Sequence, residues 1–135
     1  MRPELISPDG LFPDAPYAYV AVAPPGSLVF AAGACPLTPE GTVVSPGDVE
    51  EQTRVAVANL IAALQAADSS WDQVLKTTIY VRSDDQADLV RAWRVYEAAV
   101  GEARPPSTLL GVSALGYTHQ LVEIEAVALR PTPAA

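Results

Sequence analysis

Between Arg104 and Arg130 the chain reads as a pair of strands, the second with two faces of opposite character, and that one stretch restricts the fold more than any other. Successive side chains of a strand point to opposite sides. In Leu121–Leu129 one face therefore carries Val122, Ile124, Ala126 and Ala128, small and apolar throughout and suited to lie under helices. The other carries Leu121, Glu123, Glu125, Val127 and Leu129, two carboxylates framed by apolar residues. A solvated face would not be framed by Leu and Val, and a buried face would not hold two acids. The pattern fits a surface covered by another subunit, with a polar pocket left open around the acids. It also fits a half-exposed strand whose glutamates point at water.

The rest of the composition sets the bounds. A chain of 135 residues has the length of one domain with a single core. Half of it is hydrophobic, which places it among globular rather than disordered chains. No apolar run approaches the roughly 18 residues of a membrane span, and the opening MRPELISPDG lacks the apolar segment of a signal peptide. One cysteine, Cys35, allows no intramolecular disulfide and suits a reducing cytoplasm. Eight basic residues against sixteen acidic ones, with no basic cluster, argue against a nucleic-acid partner, because such binders neutralise phosphates with Lys and Arg.

In chain order, Pro13 and Pro16 bracket an extended lead-in. Tyr17–Ala23 is predicted as a strand, stopped by the turn signal Pro24-Pro25-Gly26, and 28–33 as the return strand of a hairpin. The segment 36–47 is loop, with room for a short strand at 42–44. Asp48 with Glu51 three residues on makes a capping-box pattern. Val49, Thr53, Ala56, Val57, Leu60, Leu64 and Ala67 then form the apolar stripe of a helix ending near Asp68, while Arg54, Asn59 and Gln65 fall away from it. A strand at 74–82 puts Leu75, Thr77, Ile79 and Val81 on one face and Lys76, Thr78, Tyr80 and Arg82 on the other. Ser83-Asp84-Asp85 opens a second helix with stripe Leu89, Ala92, Trp93, Tyr96 and Val100, closed by Gly101. Strands at 104–115 and 121–130 complete the chain. Two helices against at least five strands make an α+β sandwich with helices on one sheet face only. The other face carries Tyr80, Leu109, Val127 and Leu129, and such a face usually finds a partner.

The run DVEEQTRVAVANLIAALQAADSSWDQVLKTTIYV, followed by RPPST and LVEIEAVA, resembles the RidA family, also called YjgF or the L-PSP endoribonucleases. The resemblance runs from Pro16 to Arg130. It implies a chorismate-mutase-like fold, a homotrimer around a central barrel, and three clefts between subunits. It also implies cofactor-independent hydrolysis of reactive 2-imino or enamino acids to 2-oxo acids and ammonia. In the family a glutamate of the V/I-E-I-E-A strand holds the attacking water, and an arginine in a P-A-R-S motif grips the substrate carboxylate, for which a bidentate guanidinium is the natural partner. Position by position, Glu123 matches that glutamate, Tyr17 the cleft tyrosine and Gly33 the cleft glycine. The arginine does not match. Pro105-Pro106-Ser107-Thr108 laid on P-A-R-S puts Ser107 in its place; Trp93 stands for a cleft asparagine, and Ala34 for the glutamine after the glycine. Arg104, three residues before Ser107, is placed to reach in as a substitute. The resemblance thus implies a pocket with Trp93, Ser107 and Leu109 facing in, suited to a flatter, less charged ligand. It further implies that Glu125, deeper in the barrel, pairs with Lys76 or Arg82.

The remaining candidates have plain structural readings. Cys35 reads as a small buried side chain rather than a nucleophile. His119 reads as a solvated turn residue, and Lys76 as a base facing the trimer interior. One His and one Cys make no metal site. Three functions remain: an imine or enamine deaminase of altered substrate range, a catalytically silent trimer binding a small molecule or partner protein in its clefts, and, against the acidic charge, a ribonuclease.

Overall fold

A computed structural model describes residues 1–133. Strands β1 (Glu4–Ile6) and β2 (Val20–Val22) pair antiparallel as a small sheet. The main sheet holds β3 (Gly26–Phe30), β4 (Val74–Arg82), β5 (Ser107–Val112) and β6 (Val122–Pro131) in the order β3-β6-β4-β5. Two helices, α1 (Val49–Ala66) and α2 (Gln86–Val100), cover one face of it. β6 runs antiparallel to both neighbours, with Val29 opposite Ala128 and Ile79 opposite Ile124. β5 joins β4 in parallel, Thr77 opposite Ser107, and α2 is the crossover that a parallel pair requires. This is the α+β architecture that the pattern predicts.

The alternation in β6 is realised. Val122, Ile124, Ala126 and Ala128 are buried against Ala56, Val57, Leu60 and Leu64 of α1 and Ala92, Tyr96 and Val100 of α2. Asp48 caps α1, its carboxylate accepting from the Glu51 N–H at 3.0 Å. The capping box closes on one side only, because the Glu51 carboxylate turns to Arg54 at 2.9 Å. Asp85 caps α2 by accepting from the Ala87 N–H at 2.9 Å. In β4 a bulge between Val74 and Lys76 changes the expected face: Val74 takes the buried place and Leu75 is only half-buried.

Three expectations are corrected. The hairpin joining 17–23 to 28–33 does not form: β2 pairs with β1, a strand that the polar, proline-bearing N-terminus concealed, and β3 pairs with β6. The strand at 42–44 reduces to one bridge between Leu37 and Val43. Leu129 is not on an open surface but fully buried, its side chain lying where a Cβ on Gly26 would stand 2.8 Å from Leu129 Cδ1. The sheet face away from the helices is nonetheless apolar in part, with Phe30 73%, Leu28 54% and Leu110 44% exposed.

One buried side chain ties the loops to this frame. Gln52, fully enclosed on α1, donates to the carbonyls of His119 at 3.0 Å and Ser45 at 3.3 Å and accepts from the Leu121 N–H at 2.8 Å. Removing the amide leaves those backbone groups unpaired, at about 1–3 kcal/mol for a buried one. Gln52→Leu is therefore expected to lower unfolding free energy by about 2–4 kcal/mol in urea titrations. Exposed Gln65→Leu should stay within about 0.5 kcal/mol.

Candidate active site

Glu123 lies opposite Tyr80 on the helix-free face of the sheet, half-buried. Its Oε1 accepts two hydrogen bonds, from Cys35 Sγ at 3.2 Å and from Gln120 Nε2 at 3.2 Å. Oε2 takes no hydrogen bond from the described residues. The carboxylate rests against Gly33, where a Cβ would stand 2.7 Å from Glu123 Cγ and nearer still to the carboxyl group. Only glycine leaves that room. The segment is held in place from both sides. Ala34 and Ile124 exchange backbone hydrogen bonds at 2.7 and 3.1 Å, and the Asn59 amide of α1 donates to the carbonyls of Cys35 at 2.9 Å and Leu37 at 3.0 Å.

The Cys35 thiol is pushed up to about 11 from 9.0, first by burial and then by its hydrogen bond to Glu123 and that group's negative charge. It is a proton donor to the carboxylate at neutral pH, and no nucleophile. Gly33, Cys35 and Glu123 therefore form one cluster.

Tyr17, Trp93 and Ser107 form another. The Ser107 hydroxyl is fully engaged: Thr77 Oγ1 donates to it at 2.7 Å, Tyr96 OH lies at 2.9 Å, and it reaches the Pro105 carbonyl at 2.9 Å. Burial raises the Tyr96 hydroxyl above its ordinary value. Trp93 stacks edge-on to Tyr17 at 6.3 Å and lies 5.2 Å from Tyr96. Leu109, expected on the open face beside Tyr80, is instead packed against the core from β5, because it pairs with buried Ile79. Ser107 and Leu109 sit opposite buried Thr77 and Ile79, so both belong to the helix side of the sheet and Thr108 to the Glu123 side. Arg104, at a left-handed φ of 41°, donates to the Ala15 carbonyl at 2.5 Å and thereby ties down the N-terminal segment.

The expected partner of Glu125 is corrected. Tyr80 OH donates to Glu125 Oε1 at 2.6 Å, while Lys76 bonds Thr108 Oγ1 at 2.5 Å and Arg82 reaches the Ser113 carbonyl at 3.5 Å. Neither base meets the acid. Tyr80 is correspondingly held protonated above its usual range, chiefly by that hydrogen bond. His119 is an exposed turn residue with φ 68°. Sequence reasoning missed Gln120: nothing in an alternating strand marks the residue before it as a fully buried amide aimed at the carboxylate. Among the described residues no group of His, Cys, Asp and Glu could hold a metal ion.

The fold and site define a small α+β domain that displays a hydrogen-bonded carboxylate on an open sheet face. The chain belongs to the Endoribonuclease L-PSP family, whose model matches residues 11–130. A RutC family protein of Pyrococcus horikoshii is 35% identical over 118 residues, 87% of this chain and 90% of that protein. A protein of Escherichia coli named "Putative reactive intermediate deaminase TdcF" is 32% identical over 115 residues, 83% of this chain and 86% of its own. The crystal structure of TdcF with bound serine, which shares 28% identity, aligns at TM-score 0.67 over 96% of this chain and 94% of its own. The crystal structure of the Rid family protein YyfB from Yersinia pestis, at 26% identity, aligns at TM-score 0.86 over 96% of this chain and 99% of its own.

Cys35 provides a direct probe of the carboxylate. With its thiol near 11 rather than 9.0, iodoacetamide at pH 8 should modify Cys35 about a hundredfold more slowly than an unfolded thiol, as the thiolate population dictates. Glu123→Gln removes the adjacent charge and should accelerate the reaction. Because the folded value is raised, the thiol's contribution to stability is intact below about pH 9 and lost as pH rises toward about 11. Chemical denaturation followed between those pH values should show the decline.

Proposed function

We propose that this chain is a single RidA-like domain that hydrolyses reactive imines or enamines to a carbonyl compound and ammonia. It works without a cofactor, as a homotrimer with its sites in the clefts between subunits. Its substrate range differs from that of relatives bearing the clamp arginine. The observation that carries this reading is the half-engaged carboxylate of Glu123. With Oε1 occupied, Oε2 is the acceptor left for the O–H of a water. That water's oxygen adds to the C=N carbon, its first proton passing to Glu123 and from there to the nitrogen, which receives the C=N electron pair. In the resulting carbinolamine the hydroxyl proton passes through Glu123 to the same nitrogen as C=O forms and C–N breaks, and ammonia departs with both of the water's protons. Glu123 returns to the carboxylate, and one water is consumed per ammonia released.

The altered substrate range follows from what surrounds Ser107. Its hydroxyl is committed three times over, Arg104 is bound to Ala15, and Pro106 and Thr108 offer no charge. A substrate carboxylate loses a bidentate partner worth about 1.5–3 kcal/mol per charged hydrogen bond, about ten- to a hundredfold. The exposed Phe30, Leu28 and Leu110 on the sheet face support the trimer. A second reading, a silent trimer that binds a small ligand in the same clefts, is supported by the serine in the crystal structure of TdcF. The net charge of −8 speaks against RNA as substrate.

Imines generated in situ by an amino-acid oxidase, with ammonia release followed, separate these readings. Turnover of an aromatic imine, abolished in Glu123→Gln, is expected. Hydrolysis of 2-iminobutanoate should be weak or absent, and Ser107→Arg alone should not restore it, since Trp93 would still occupy the room the substrate needs. No acceleration of any imine would leave the silent binder. Efficient hydrolysis of 2-iminobutanoate by the natural protein would refute the role given to the missing arginine, and light scattering that reports a stable monomer at micromolar concentration would remove the shared cleft.

A further inference from the structure

Glu123 is held by two side chains that reach it from different parts of the fold, and neither is used in the chemistry above. Gln120 is fully enclosed. Its Oε1 accepts the Tyr117 N–H at 3.1 Å, which settles which end of the amide is oxygen. The amide nitrogen therefore points the other way, donating to the Val122 carbonyl at 3.0 Å and to Glu123 Oε1 at 3.2 Å. Cys35 comes from the segment fastened to β6 through Ala34 and to α1 through Asn59. Its Sγ donates to the same Oε1 at 3.2 Å. Gly33 closes the side that a Cβ would block.

We infer that Gln120 and Cys35 are positioning residues that together hold the Glu123 carboxylate by Oε1 so that Oε2 is presented to the reacting water. The inference rests on the imine-hydrolase reading for its kinetic consequence, though not for its geometry. Two donors on one oxygen leave the other as the free acceptor, and a side chain with several rotatable bonds is confined to one orientation. The thiol stays protonated through the neutral range, so both donors persist wherever the enzyme would work. A misdirected base costs rate rather than binding.

Cys35→Ala and Gln120→Glu are the variants to compare, with Cys35→Ser as the rescue that keeps a donor. Gln120→Glu retains the oxygen that accepts from Tyr117 but replaces the donor with a second acid. The charged and titratable groups on the same sheet face around Glu123 include Cys35, Tyr80 directly across on β4, Arg82 diagonally across on β4, and Glu125 two residues along β6. On an aromatic imine, Cys35→Ala should lower kcat about ten- to a hundredfold with KM nearly unchanged, and Cys35→Ser should recover most of it. Gln120→Glu should move the acid limb of the kcat profile about one pH unit or more upward, because two adjacent carboxylates resist ionising together. Unchanged kcat in Cys35→Ala together with an unmoved profile in Gln120→Glu overturns the inference, while loss of activity in Glu123→Gln leaves the hydrolase reading standing. Crystal structures of the two variants decide the positioning claim even for a protein with no imine activity. A Glu123 carboxylate turned away from its natural orientation supports it, and one left in place refutes it.

Discussion

The whole arrangement depends on the register of β6. Lying between β3 and β4, it has each residue assigned to one of two faces, and a slip of one position would exchange Val122, Ile124, Ala126 and Ala128 for Glu123, Glu125 and Val127. Such a slip would push two carboxylates under α1 and α2, at a desolvation cost far above anything packing could return. The strand that completes the core is thereby also the one that sets the acid on the open face. Stability and site geometry come from a single alternation.

Around that strand, uncharged amides hold the loops in place. Gln52, Asn59 and Gln120 bind the carbonyls and N–H groups of segments 35–37, 45 and 117–122, none of which lies in the ladder of the main sheet apart from the start of β6. Amides suit this work, since they donate and accept without the larger penalty of a buried charge. The consequence for chemistry is that Gly33 and Cys35 reach Glu123 from a segment whose backbone is fixed at several points. A carboxylate bonded on one oxygen, in a place no Cβ could share, follows from that fixing.

Much of this was legible in the sequence, and the reasons differ by residue. The faces of β6 could be read because burial on one side imposes a period of two. Both helices could be read because Asp48 and Asp85 cap apolar stripes of helical period. The β1–β2 pairing could not, since Glu4–Ile6 is three exposed residues whose partner lies fourteen or more positions away, and Pro24-Pro25-Gly26 signals a hairpin as strongly as it signals a change of sheet. Glu123 with Gly33 followed from the family resemblance. Gln120 escaped because a polar residue ahead of a strand looks like loop. The orientation of Ser107 escaped because alternation assigns a face only once the strand's first residue is known, and the hydroxyl belongs with Thr77 and Tyr96. Glu125 went to Tyr80 rather than to a base because Tyr80 and Glu123 are direct cross-strand partners, which brings Glu125 within reach of the same ring.

The proposed chemistry rests on one oxygen atom, Glu123 Oε2, at a proposed boundary between two copies of the chain. A crystal structure with a bound, non-hydrolysable aromatic enamine analogue tests this most directly. The expected result is a ligand, or a water bridging to it, within hydrogen-bond distance of Oε2, Gly33 beside it, and a second subunit closing the cleft. A ligand bound elsewhere, with Glu123 facing bulk solvent away from any subunit boundary, would contradict the account.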